Sequence, residues 1–443
     1  MNIQLSDHFT YSRLLRFTFP TIVMMIFTSI YGVVDGIFVS NYAGKTAFAA
    51  INLIMPYLMV FGTLGFMIGS GGTALISMTL GMGNHKKANE IFSLLTYAAV
   101  FGGIVLTIGS IAFLRPAAVA LGATGQILED CVTYGAIVQM ALPAYVLQYA
   151  FQSFCITAEK PNLSLKMMVA AGVCNILLDA LFVAVFRWGL IGAAVATAFS
   201  QYLGAVIPFV YFLRPNDSLL RLGKCRFDGK ALLRTCTNGC SELMSNISMS
   251  LVGMLYNLQL IQYAGEDGIA AYGVIMYVNF IFMSVFIGFV IGGAPIIGYN
   301  YGAENHRELQ NIFRKSLILI GIFATVMTAA AIAMALPLAY IFVGYDSALV
   351  EMTTRGFVIY SLSFLLSGFN FFGSSLFTAL NNGLVSAVIS FVRTVICQIA
   401  AVMLLPLILG LDGIWWSIVA AELAALILTV ICFLKFKGRY HYM

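Results

Sequence analysis

The sequence predicts an all-α polytopic membrane protein with twelve transmembrane helices in two six-helix lobes. Of its 443 residues, 61% are hydrophobic and only 9% are charged, whereas a soluble domain carries about 25% charged residues. Apolar windows of about 20 residues, long enough to span a bilayer, recur along the chain. Gly81 and Asn84 recur as Gly302 and Asn305, 221 positions later, and further matches keep this offset. Two homologous halves related by a parallel internal repeat are typical of secondary transporters.

The apolar windows place the helices in order along the two predicted lobes, residues 1–213 and 234–443. Residues 214–233 form the predicted cytoplasmic linker, which is rich in arginine and lysine. Several windows exceed the minimum span, which allows for tilt. The twelve predicted spans lie near residues 13–40, 47–79, 91–113, 131–157, 163–186, 189–213, 234–262, 268–299, 314–342, 353–379, 384–407 and 412–434.

The distribution of Lys and Arg predicts the orientation in the membrane. With the N-terminus inside, 18 of the 23 basic residues fall in cytoplasmic segments and four fall outside, as expected for a bacterial-type plasma (inner) membrane protein. Both termini are therefore predicted to be cytoplasmic. The net charge of +5 reflects this topology, so we expect no nucleic-acid partner. The polar start of the chain leads into a long apolar stretch and does not resemble a cleavable signal peptide.

The eight cysteines predict neither a disulfide framework nor a metal site. Most of them lie inside apolar segments, which disfavours structural disulfides. Cys225, Cys236 and Cys240 cluster loosely, but no histidine lies near them in the sequence.

Five ionisable residues lie inside predicted spans: Asp35, Asp179, Glu242, Arg393 and Glu422. A charged side chain at the bilayer centre costs roughly 2.5–3.5 kcal/mol on insertion scales. Each of these residues therefore needs a partner, a water-filled cavity or a proton. Such residues are functional by default, and the structural alternative is an ion pair that holds helices together.

The N-terminal half concentrates candidate ligands at one depth, near the predicted outer side. Asp35 on the first helix, Asp179 on the fifth and Thr197 on the sixth share this depth. Asn175 precedes Asp179 by four residues, which puts both on one helix face. Two carboxylates that oppose each other in a low dielectric readily take up one proton or one Na⁺. We interpret these four residues as a cation-coupling site, with a structural polar cluster as the alternative.

The second half does not repeat this cluster, because Asp35 and Asp179 correspond to Tyr256 and Ala400 at the offset of 221. In that half, Glu242 lies about two turns inside the cytoplasmic end of the seventh helix. It either faces the cavity as a second carboxylate or reaches the membrane interface.

Arg393 and Glu422 lie near mid-depth on the eleventh and twelfth helices. We interpret them as a structural ion pair, with a second functional site as the alternative.

At these residues the chain resembles the multidrug and toxic compound extrusion (MATE) family, and its DinF-like branch more than its NorM-like branch. The resemblance covers essentially the whole chain. It is carried by several stretches together, namely residues 34–39, 71–74, 81–84, 175–179, 189–197, 200–201 and 298–303.

The resemblance implies a V-shaped antiporter that exports cationic or amphipathic drugs in exchange for H⁺ or Na⁺. The cation site of the DinF-like branch matches Asp35, Asn175, Asp179 and Thr197. A proline that permits bending of the first helix matches Pro20. Cavity-lining positions match Tyr31, Gln152 and Met168. The carboxylate of Glu242 departs from this pattern, because it is more typical of NorM-like members.

The sequence alone leaves other functions open as alternatives. A flippase for a lipid-linked saccharide usually has several cavity arginines, whereas only Arg393 lies inside a span. A passive channel would show no gradient-driven transport. An enzyme is disfavoured because the chain carries no hydrolase, metalloprotease or nucleotide-binding motif. We therefore expect no cofactor beyond the coupling ion, and no obligate protein partner.

Overall fold

The computed structural model describes residues 3–443, and the regular elements within that range are all helical. The N-terminal half begins with the long helices α1 (Tyr11–Phe38), α2 (Lys45–Gly81) and α3 (His85–Ala112). It continues with α4 (Leu114–Ala120), α5 (Gly125–Met140), α6 (Leu142–Thr157), α7 (Pro161–Asp179) and α8 (Gly189–Leu213). The C-terminal half contains α9 (Gly229–Gly302), α10 (His306–Val343), α11 (Ser347–Ser361), α12 (Phe364–Ala379), α13 (Gly383–Phe391), α14 (Gln398–Leu409) and α15 (Leu411–Tyr440).

Helix α9 is continuous in hydrogen bonding but turns back at Gly265. Its 74 residues would extend about 111 Å as one straight helix, far more than the roughly 30 Å of a bilayer core. Gly265 has φ 65° and ψ −148°, a conformation that only glycine adopts readily. The break falls between the predicted spans 234–262 and 268–299, so α9 supplies two spans.

Two other predicted spans are bent rather than straight. Helices α5 and α6 meet at 54°, and α11 and α12 meet at 46°. Pro143, at the start of α6, has no N–H to continue the helix of α5. With each bent pair counted as one span and α9 as two, residues 3–443 contain the twelve spans that the sequence predicts. The protein is a multi-pass membrane protein.

Three π-helical segments, which the apolar windows did not predict, interrupt these spans. They are Val39–Ala43 after α1, Ala180–Val185 after α7 and Val392–Cys397 between α13 and α14. The first begins four residues after Asp35, the second follows Asp179 directly, and the third contains Arg393. Single-turn π-helical insertions frequently occur at functional sites.

The two halves pack against each other through reciprocal glycine contacts. A Cβ on Gly81 would overlap the Tyr299 carbonyl oxygen, and a Cβ on Gly302 would overlap the Met78 carbonyl oxygen. Gly302 and Tyr299 are the equivalents of Gly81 and Met78 at the offset of 221. The two helices therefore approach each other through the same contact, made once in each direction. Small residues allow this backbone-to-backbone approach in membranes.

The N-terminal segment before α1 adds a polar link on the face that carries both termini, here called the terminal face. The backbone N–H of Leu5 donates to Glu159 of the N-terminal half at 2.6 Å. The backbone N–H of Phe9 donates to Glu308 of the C-terminal half at 2.9 Å. Residues 3–10 therefore tie the two halves together at this face.

The contact between α1 and the second part of α9 extends outward to the hydroxyls of Ser29 and Ser284, 2.5 Å apart. Among the described residues, this is the hydrogen bond between the halves that lies farthest from the terminal face along α1. Asp35 lies six residues farther along α1, about 9 Å beyond it. Asp35 therefore lies beyond the hydrogen-bonded part of this contact between the halves.

We predict that Gly302→Ala destabilises the folded protein, because the added methyl group has no space against the Met78 carbonyl oxygen. Overpacking of this kind costs about 1–3 kcal/mol. The matched control is Gly109→Ala on α3, where a Cβ would meet nothing within 4 Å and alanine favours the helix. Thermal unfolding in detergent should show a lower Tm for Gly302→Ala only. Equal Tm values for the two variants would contradict the close contact.

Candidate functional site

The candidate site of the N-terminal half lies where α1 packs closely on α7. A Cβ on Gly172 of α7 would meet the rings of Phe27 and Tyr31 on α1, so glycine is needed for this approach. The two helices run in the same direction through the bundle. One turn beyond Tyr31 lies Asp35, and two turns beyond Gly172 lies Asp179. The contact at Gly172 thus places the two carboxyl groups beside each other.

The Asp35 and Asp179 carboxyl groups face each other across this helix contact. Asp179 is 0% exposed. Both of its oxygens, and one oxygen of Asp35, are buried and receive no hydrogen bond from an N–H or hydroxyl group of the described residues. The ion pairs found in residues 3–443 do not include either residue. Two unscreened carboxylates of this kind require a proton or a bound cation.

Asn175 and Thr197 are the other two residues of the predicted cation-coupling site. Asn175 lies one turn before Asp179 on α7, is 3% exposed, and its amide nitrogen has no acceptor among the described residues. Thr197 on α8 is half-buried, and its side chain lies near that of Tyr134. Amide, hydroxyl and carboxylate oxygens are hard ligands that suit Na⁺ as well as a proton.

Tyr134 is a residue that sequence reasoning missed. It lies on α5, is 2% exposed, and connects Thr197 to the neighbourhood of both aspartates. The sequence contains 21 tyrosines, and nothing in the pattern of α5 distinguishes this one.

Of the three predicted cavity residues, only Tyr31 lies beside the carboxyl pair with part of its surface open. Its side chain lies near that of Tyr149 on α6. Gln152 and Met168 are 2% and 1% exposed. Gln152 donates to the sulfur of Met25 at 3.4 Å. In this structure, Gln152 and Met168 therefore belong to the packed interior of the N-terminal half and not to an open surface.

Pro20 lies inside α1, which continues through it without interruption. The contacts on either side of it are with α9, because Thr18 packs on Gly292 and Ile22 packs on Gly288. The ring of Pro20 leaves one backbone carbonyl of α1 without its helical donor.

Glu242 lies in the other half of the protein, on the first part of α9. It is half-buried, and the described residues offer no side-chain donor to its carboxylate. Its backbone carbonyl accepts from Asn246 at 2.8 Å. The structure therefore does not join Glu242 to the Asp35–Asp179 pair.

Arg393 and Glu422 form a buried ion pair, with Arg393 Nη2 2.8 Å from Glu422 Oε1. Asn370 donates to the second carboxylate oxygen at 2.7 Å, and Thr429 in turn donates to Asn370 at 2.9 Å. The guanidinium also stacks on the ring of Phe371, 3.9 Å from its centroid. The charges of Arg393 and Glu422 are therefore paired, in contrast to those of Asp35 and Asp179.

Comparison with known proteins identifies relatives along the whole chain. The family model MatE matches twice, at residues 20–181 and at residues 243–404. A curated relative from Staphylococcus saprophyticus, named multidrug export protein MepA, is 26% identical over 410 residues, which cover 92% of this chain and 90% of the relative. A relative of the same name from Staphylococcus aureus strain MRSA252 is 25% identical over 426 residues, which cover 96% and 94%.

A solved structure shows the same fold. It is described as the outward-facing conformation of a multidrug resistance MATE family transporter of the MOP superfamily. The TM-score is 0.91 at 20% identity, with 99% of this chain and 98% of the other covered.

We predict opposite stability effects for the two buried charge clusters. Arg393→Met leaves Glu422 buried without its counter-charge, so it should lower stability by about 3–5 kcal/mol. The double variant Arg393→Met/Glu422→Leu should recover most of this loss, because no charge remains buried.

Asp179→Asn should leave the Tm unchanged or raise it, because the carboxylate receives no protein hydrogen bond. Thermal unfolding of the three purified variants measures these differences. A large loss of stability in Asp179→Asn would show that the carboxylate is a structural group.

Proposed function

The chain belongs to the MatE family of multidrug and toxic compound extrusion transporters, and from this premise we propose that it exports cationic or amphipathic small molecules in exchange for H⁺ or Na⁺. The names of its Staphylococcus relatives support drug export. The observation that carries the proposal is the Asp35–Asp179 pair, which is buried between α1 and α7 without a protein counter-charge.

The coupling step is cation binding at this pair. A proton or a Na⁺ from the outer side reaches Asp35 where the halves separate. Neutralising one carboxylate removes the repulsion between α1 and α7, and Asn175 and Thr197 supply further oxygens for a metal ion. Either ion is driven inward by the membrane potential, which supplies about 2.3 kcal/mol per charge at 100 mV.

Substrate binds next to the same pair. The rings of Tyr145 and Tyr149 on α6 lie 4.6 Å apart between centroids and are tilted by 49°, and the ring of Phe66 lies 4.3 Å from that of Tyr149. These rings, together with Tyr31, retain open surface. Aromatic faces beside carboxylates attract flat organic cations through cation–π and Coulomb forces. Cation entry and drug release then compete for the same negative charge, which is the condition for antiport.

Alternating access moves the two lobes, residues 1–213 and 234–443, about the reciprocal glycine contacts, with residues 214–233 as the linker. Both termini lie in the cytoplasm of a bacterial-type cell, and the aspartate pair opens outward.

Glu242 is a candidate second carboxylate of the C-terminal lobe, and the Arg393–Glu422 pair is structural. A flippase would need arginines that are free to bind its substrate in the cavity. The one intramembrane arginine, Arg393, is instead paired with Glu422 and stacked on Phe371, which disfavours the flippase alternative.

We predict that Asp35→Asn and Asp179→Asn each abolish drug export while the protein still inserts in the membrane. The measurement is accumulation of a fluorescent organic cation in energised cells that express each variant at equal levels. Asp267→Asn, an exposed carboxylate on α9, is the matched control and should export normally. Near-normal export by both aspartate variants would refute the coupling role of the pair.

We also predict that Pro20→Ala slows export without weakening drug binding. Alanine restores a helical hydrogen bond in α1, so that bending at this position becomes more costly. Drug affinity in detergent and efflux rate in vesicles separate the two effects. An efflux rate equal to that of the unmodified protein would exclude a role for Pro20 in the conformational change.

A further inference from the structure

A cavity of about 870 Å³ lies at the terminal face, between the start of α7, the end of α8 and the linker. We call it the rim cavity. Its lining is formed by Leu163 of α7, by Ile207, Val210 and Tyr211 of α8, and by residues 214–217 and 221 of the linker. It lies at the opposite end of α7 and α8 from the aspartate pair and has no part in the proposed coupling step.

The rim cavity has an apolar wall and a basic mouth. Ile207, Val210 and Arg214 follow each other on one face of α8 and its continuation. Arg214 and Arg221 supply two positive charges to the lining. The Arg214 guanidinium has no hydrogen-bond or ion-pair partner within residues 3–443, so its charge is available to bind an anionic ligand.

The acidic residue of the lining is already neutralised by the protein. Lys160 donates to one oxygen of Asp217 at 3.0 Å, and the Tyr211 hydroxyl donates to the other at 3.2 Å. The hydrogen bond and the positive charge of Lys160 lower the pKa of Asp217 below its ordinary value. The cavity therefore presents a net positive charge.

The linker that carries the two arginines is held in place by helix α3 and by its own turn. The backbone N–H of Arg221 donates to Asn89 at 2.7 Å, and that of Gly223 donates to Ser93 at 3.0 Å. Arg221 Nη2 donates to the Asn216 carbonyl at 2.5 Å. The positions of the charges are thus fixed before any ligand arrives.

The location indicates which ligand can reach this cavity. Val206 and Leu213, on the exposed side of α8, are 50% and 52% exposed and lie at the level of the acyl chains and the membrane boundary. A ligand in the rim cavity would contact apolar side chains on the side that faces the bilayer and arginines on the side that faces water. Basic pockets between helices on the cytoplasmic side are suited to anionic headgroups.

We propose that the rim cavity binds one anionic phospholipid of the cytoplasmic leaflet, with its phosphate between Arg214 and Arg221 and its acyl chains along Ile207 and Val210. The proposal rests on the membrane orientation given above but not on drug export. Because the linker joins the two lobes, a lipid bound here would brace the N-terminal lobe at the point where the chain crosses to the other lobe.

The test is the rise in Tm of the detergent-purified full chain on addition of phosphatidylglycerol, compared with phosphatidylcholine and with glycerol phosphate. We expect stabilisation by phosphatidylglycerol only. The variant Arg214→Gln/Arg221→Gln should require on the order of 30-fold more lipid, since one basic side chain at an anionic surface contributes about fivefold. Arg307→Gln/Arg314→Gln on α10 removes the same charge from exposed positions and should behave like the unmodified protein.

Arg214→Gln alone provides a second variant if the double variant folds poorly, because this side chain makes no hydrogen bond or ion pair within residues 3–443. Native mass spectrometry counts the retained lipid in each case. An equal response of both double variants to phosphatidylglycerol would overturn the proposal, as would equal stabilisation by phosphatidylcholine. Stabilisation by glycerol phosphate alone would assign the cavity to a soluble phosphate compound and would also overturn it.

Discussion

The close approach of two carboxyl groups without a protein counter-charge is the constraint on which the rest of this structure depends. Asp179 is 0% exposed and none of its oxygens receives a protein hydrogen bond. Burying an unpaired charge costs several kcal/mol, so the N-terminal half is complete only with a proton or a cation. The packing of Tyr31 on Gly172 holds the carboxyl groups together, and the π-helical segments next to them mark where the helices depart from ideal geometry.

The two halves share a fold, but the Arg393–Glu422 pair of one half has no counterpart at the Asp35–Asp179 pair of the other. In the C-terminal half, Glu422 pairs with Arg393 and accepts a hydrogen bond from Asn370, which in turn accepts one from Thr429. The carboxylate of Glu422 therefore has its partners within the protein. The reciprocal contacts of Gly81 and Gly302 hold the halves together near the terminal face. Asp35 lies on the opposite side, away from these contacts.

The sequence predicted the spans, and it indicated a common depth for four polar residues, because both inferences depend on simple physical quantities. Hydropathy identified the twelve spans, including the turn that Gly265 makes between two of them, and equal depth in the bilayer brought Asp35, Asn175, Asp179 and Thr197 together. The bend of 54° occurs at Pro143, which the sequence does show. The bend of 46°, the π-helical segments and Tyr134 were not predictable, because each depends on contacts between helices that composition does not encode. The same limit applies to Met168, which matches a cavity position of the family but lies in the packed interior here.

The most direct test of the central claim is efflux of ethidium from proteoliposomes under an imposed H⁺ or Na⁺ gradient, with the unmodified protein and Asp179→Asn measured side by side. The account predicts uphill efflux driven by one of the two ions, and loss of that dependence in the variant although it still binds ethidium. Gradient-driven efflux that is unchanged in Asp179→Asn would contradict the account, because the buried pair would then have no part in coupling.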